Sequence, residues 1–146
     1  MATLHDPAVR ASIRSRLEKL RPDSPRQWGK MTVDQMLWHC NQALEQSLGR
    51  LDAPPAPKPM PRALLKFFVL NLPWPKGAPT NPAFVAGAPC DFERERMRSL
   101  QMVDELAARD LEGQWPYNVD FGTMRGRDWS RLMAKHLDHH LKQFSA

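Results

Sequence analysis

The sequence predicts an all-α protein: a four-helix bundle whose middle connection is long, proline-rich and interrupted by one short helix. Three observations carry that prediction. Apolar residues recur three and four apart in four separate stretches, and no stretch shows the strict alternation of a half-buried strand. Ten of the fourteen prolines fall between Pro54 and Pro89, which excludes a long helix there. The 146 residues, 42% of them hydrophobic, suffice for a real core, so a single domain over residues 1–146 is expected.

The first helix begins at Asp6-Pro7, a capping residue followed by proline at the first helical position. Val9, Ile13, Leu17 and Leu20 form its apolar stripe, and Arg21-Pro-Asp-Ser-Pro25 stops it. The second starts at Thr32, where Thr32-Val-Asp-Gln35 reads as a capping box, and runs to about Gly49. Its apolar residues are Met36, Leu37, Cys40, Ala43, Leu44 and Leu48. Inside the proline-rich stretch, Arg62-Ala-Leu-Leu-Lys-Phe-Phe-Val-Leu-Asn71 is expected to be a short helix that packs on the bundle, covers a site or forms a dimer contact. The third long helix should span about Asp91 to Leu111, with Phe92, Leu100, Val103, Leu106 and Ala107 inward. A loop from Gln114 to Gly126 leads to the fourth, Asp128 to Phe144. Such bundles hold cofactors between facing helices.

Composition narrows the function classes. The longest apolar run, Phe67-Phe-Val-Leu70, is far too short to cross a bilayer, and the N-terminus carries no leader pattern. A cytoplasmic protein with no membrane partner is expected. Cys40 and Cys90 are widely spaced and form no CxxC, as expected of reduced thiols. Twenty-one basic residues against sixteen acidic ones give a net charge of +5. Several of the basic ones, Arg10, Arg14, Arg16, Lys19, Arg21 and Arg26, lie around the first helix. Aromatics are not interleaved with the charges and no nucleic-acid motif is present, so no nucleic-acid partner is expected.

The last helix carries the chemistry. Trp129, Leu132, Met133, Leu137 and Phe144 define one face at 100° per residue, and His136 and His140 fall in its middle, one turn apart. Buried imidazoles need partners, and two rings at this spacing are placed to share one metal ion. The run is not HExxH, because Leu137 stands where a metalloprotease has its glutamate. His39 borders the core of the second helix; alone, such a residue is more often a core histidine satisfied by a carbonyl or carboxylate than a ligand. His5 reads as a surface residue and His139 as a helix-edge residue. Gln143, on the face of the pair, and Gln35, one turn before His39, are candidates to orient ligand rings or else polar edge residues. Asp138 points away, Cys40 reads as a core thiol, and Trp38 and Trp129 read as packing residues.

The segments Trp28-Gly-Lys-Met-Thr-Val-Asp-Gln-Met-Leu-Trp-His39 and Trp129 to Phe144, with its Lys-His-Leu-Asp-His-His-Leu-Lys-Gln-Phe end, resemble the DinB-like (YfiT-like) superfamily, and within it a bacterial branch. The Lys76-Gly-Ala-Pro-Thr-Asn-Pro82 loop and the Phe121-Gly122 turn are similar too, so the resemblance covers nearly the whole chain in order. It implies a metal held by one histidine of the second helix and an HxxxH pair of the last, here His39, His136 and His140. One departure is the start of the last helix: Arg125-Gly-Arg-Asp128 replaces the usual Thr or Ser cap, leaving Gly126 as the expected cap.

Three imidazoles would leave a divalent metal an open position. Zinc or nickel suits this donor set best and iron is a third option. The resemblance further implies a small-molecule substrate and either thiol-dependent S-transfer, with a low-molecular-weight thiol as cosubstrate, or metal-assisted hydrolysis. The competing reading is a non-catalytic, metal-stabilised bundle acting through protein contacts. Homodimerisation through Leu64 to Leu70 is a further expectation.

Overall fold

A computed structural model describes residues 2–146. Its helices are α1 (Pro7–Lys19), α2 (Val33–Ser47), α3 (Arg62–Asn71), α4 (Phe92–Ala107) and α5 (Gly126–Gln143), with one 3-10 turn at Pro82–Phe84. No strand occurs among the described residues, only one bridge between Asn118 and Gly122. The expected all-α bundle is therefore present. Its four long helices form a ring in the order α1, α4, α2, α5, and α3 rests on the outside of α5.

Local chemistry sets most boundaries. The Asp6 carboxylate accepts the backbone N–H groups of Ala8 and Val9 ahead of α1. Gln35 Oε1 accepts the Thr32 N–H at 3.1 Å, fixing the start of α2, and Asp91 does the same for α4 through Arg94 N–H. The cap of α5 is Arg125, not Gly126, and Asp128 reaches back to the Arg125 N–H at 3.1 Å. Gly126 is needed for another reason. A Cβ there would stand 2.4 Å from Leu111 O and 2.3 Å from the Trp115 ring nitrogen. Burial alone would raise the Asp128 carboxyl, but the Arg125 N–H and the Lys66 ammonium, 3.1 Å away, hold it below the usual carboxylate range. α4 ends at Ala107, four residues short of the expected Leu111, because Ala108 closes it and Asp110 begins a separate turn that caps Glu112.

The core lies inside the ring. Leu17, Leu37, Leu44, Val103, Leu106 and Trp129 are fully buried, and each large aliphatic side chain contributes about 1.5–3 kcal/mol relative to exposure. Trp129 packs as expected and its indole N–H donates to Pro116 O. One polar seam interrupts the α2–α4 contact. Asn41 Nδ2 donates to both the backbone O and Oε2 of Glu95 at 2.8 Å, and Ser99 Oγ donates to Asn41 Oδ1 at 2.6 Å. All three residues are fully buried.

The proline-rich crossover packs back onto the bundle. The C-terminal carbonyls of α3 and the residue after it are taken by cations of α5: Lys135 donates to Val69 O and Leu72 O, and Arg131 to Leu70 O. Farther along, Asn81 caps the 3-10 turn through the Ala83 N–H and so buries Phe84 against α2. Among the described residues no helix is long and apolar enough to cross a membrane.

Candidate metal centre

α2 contributes His39 and α5 contributes His136 and His140, one turn apart. Their ring centroids stand at 4.8, 4.7 and 4.8 Å from one another, close to an equilateral triangle. One ring nitrogen from each lies within 4.8 Å of the others, and all three side chains are buried. His39 Nε2 and His136 Nε2 are 2.9 Å apart.

Two outer contacts decide which nitrogens face inward as lone pairs. His39 Nδ1 lies 2.8 Å from Phe84 O, and a carbonyl can only accept, so the neutral ring carries its proton on Nδ1. Gln143 Nε2 donates to Trp28 O at 2.9 Å, which leaves Gln143 Oε1 as the acceptor for His140 Nδ1 at 2.8 Å. Both histidines are therefore held in the tautomer that presents Nε2 to the centre. Burial pushes all three imidazoles below their ordinary range. His136 is lowered well below it, by burial and then by His140 and His39; His140 falls to about 3, and for His39 the Phe84 carbonyl offsets burial in part. At neutral pH the triad is uncharged, the form a metal requires.

This donor set fits a divalent ion. Bonds of about 2.1 Å on a tetrahedral ion place donor atoms about 3.4 Å apart, between the 2.9 Å of the His39–His136 pair and the 4.8 Å within which all three nitrogens lie. No cysteine or carboxylate joins the cluster among the described residues. Cys40 is turned away to Met36 Sδ at 3.8 Å, and burial pushes its thiol up. With three protein donors, remaining coordination positions fall to non-protein ligands, which is the pattern of catalytic sites.

The other expectations divide. Gln143 lies against His140, its Oε1 2.8 Å from Nδ1. Gln35 does not orient His39: its carbonyl is taken by the Thr32 cap and its amide by Ala88 O, and Phe84 O holds His39 instead. His5 is not a free surface residue. It is half-buried, clamped between Ser130 Oγ and Arg109 O at 2.8 Å each, away from the triad. His139 stays at the edge of α5, between Trp28 and Trp74 at 5.4 and 5.5 Å. Trp74, which no periodicity singled out, also lies 5.8 Å from His136 and screens it on that side. Asp138 faces outward to Arg16 and Lys142.

An all-helical bundle carrying three converging histidines on two neighbouring helices defines the class of protein. The chain belongs to the DinB superfamily, whose family model matches residues 8–144, and members of that superfamily often bind metal. No curated protein and no solved structure matches it.

Proposed function

We propose that this protein is a metal-dependent enzyme acting on a small molecule, with a divalent ion, zinc or nickel before iron, held by His39, His136 and His140. The observation that carries the reading is the double fixing of tautomers. Any buried histidine needs such an outer acceptor; what distinguishes these two is that Phe84 O and Gln143 Oε1 together aim two bare nitrogens at one point. Such an ion would supply Lewis acidity at a position open to water or a thiolate, which suits S-transfer with a low-molecular-weight thiol or metal-assisted hydrolysis. The chain's own residues do the rest. His39 and His140 keep their orientation through their outer hydrogen bonds, and Trp74 and Phe84 keep bulk water away from His136 and His39.

A second reading rests on the 2.9 Å contact between His39 Nε2 and His136 Nε2, which also fits a direct N–H···N hydrogen bond. In that case the triad would be a structural polar cluster and the protein would act through contacts with other proteins. Mass-spectrometric metal content of the purified protein separates the two. Near-stoichiometric metal that is lost in both His39→Ala and His136→Ala supports the enzyme. Absence of metal after incubation with zinc and with nickel leaves the structural cluster.

A further inference from the structure

A surface cavity of about 300 Å³ opens beside the triad, between the end of α5 and the crossover. Its walls are Trp28 and Trp74, and His139 lies between them within 5.5 Å of each ring. Three lysines border it: Lys76, Lys135 and Lys142. Asp138 is the one carboxylate on the lining, and it is already shared by Lys142 and, from α1, by Arg16, each at 2.8 Å. Lys76 rests over the Trp28 ring at 5.0 Å, and Lys135 stands 5.3 Å from the Trp74 ring while it tethers Val69 O and Leu72 O. Among the described residues, neither ammonium has a carboxylate partner.

From this arrangement we infer that the cavity seats a small organic anion, the charged end of the substrate, and this rests on the reading of the triad as a metal centre. Two aromatic walls supply flat apolar contact for the carbon part, and the lysines supply charge. Trp74 contacts both His139 on the cavity wall and His136 of the triad, so a molecule anchored here by its anionic end lies one side chain away from the metal ligands. The shared chemistry is a carboxylate or a phosphate on a compact carbon skeleton.

The test is a titration of the metal-free protein with succinate and, separately, inorganic phosphate. Proton–nitrogen correlation spectra read the indole N–H signals of Trp28 and Trp74. Succinamide, the neutral counterpart of succinate, is the control. Saturable shifts of both indoles are expected with at least one anion and not with succinamide, and the stronger of the two identifies the preferred headgroup. Lys76→Gln, at an exposed residue with no hydrogen bond in the fold, should weaken that binding about threefold to tenfold, and added salt should weaken it in the wild type. No saturable shift in the metal-free protein overturns the inference. So does binding that is indifferent to Lys76→Gln, or that appears only after zinc loading, because the anion would then be a direct ligand of the metal. Since the titration uses metal-free protein, a failed metal assay and a failed anion site remain separate results.

Discussion

A Cβ placed on Gly29 would stand 2.7 Å from Nε2 of Gln143. Gly29 also sits at φ +81°, a conformation that side chains other than glycine's disfavour. The close approach lets Gln143 donate to Trp28 O and so keeps its Oε1 on His140. A loop residue more than a hundred positions away thereby sets the orientation of one ring of the triad. Gly29→Ala should strain this turn by about 1–2 kcal/mol and push Gln143 off His140. Zinc affinity, measured by competition with a chromogenic chelator, is expected to fall about tenfold or more. An unchanged affinity would show that Gln143 does not govern the ring.

The pH dependence of the metal-free protein follows from the buried imidazoles. Folding lowers His39 and His136 from an ordinary value of 6.5, and His140 to about 3. The unfolded chain therefore binds more protons than the folded one below pH 6.5. Stability is unaffected by these groups above that pH and declines as the pH falls below it, by up to about 1.4 kcal/mol per pH unit for each histidine. Thermal melts of chelator-treated protein between pH 7.5 and 5 should show the decline, with a shallower slope in His136→Gln. Equal slopes for the two proteins would mean that His136 is not held neutral by the fold.

These contacts explain why part of the site was legible in the sequence and part was not. His136 and His140 stand out because a polar pair one turn apart on an apolar face breaks the helical pattern. His39 lies at the edge of its stripe, and its place in the triad came from the resemblance of its surrounding motif. Phe84 was invisible for a simple reason: it contributes a backbone carbonyl, which every residue has. Gln35 sits one turn from His39, but the same spacing builds a helix cap, and the cap won. Trp74 lies among prolines, where there is no period to read. Glu95 was missed because carboxylates are rarely buried, and it takes Asn41, Arg98 and Arg94, brought in by the fold, to make its burial tolerable.

Glu95 offers a perturbation that is separate from the triad. Its Oε2 receives Asn41 and Arg98, while Oε1 has no hydrogen-bond partner among the described residues and faces the Arg94 guanidinium at 3.6 Å. Removing the carboxylate leaves Asn41 without one acceptor inside the α2–α4 contact. Glu95→Ala should destabilise the fold by about 1–3 kcal/mol, read by urea unfolding, and leave the metal stoichiometry unchanged. Loss of metal in this variant at temperatures where it remains folded would tie the two polar clusters together.

Trp74→Ala tests how the triad is reached. The indole lies 5.8 Å from His136, donates to Val69 O at 2.8 Å, and stands between the lysine-bordered cavity and the histidines. Its truncation should cost roughly 1–3 kcal/mol, since the ring is only half-buried. It should also open a short route from solvent to the centre. The rate at which excess chelator strips zinc distinguishes the two effects. If exchange runs through the cavity, the rate in Trp74→Ala rises well beyond that of Glu95→Ala, a variant of comparable expected stability with its lesion elsewhere. If exchange instead waits for unfolding, the two variants release zinc at rates set by their stabilities alone. The first outcome is expected, because the side chain that screens His136 belongs to the crossover, outside the four long helices that hold the core.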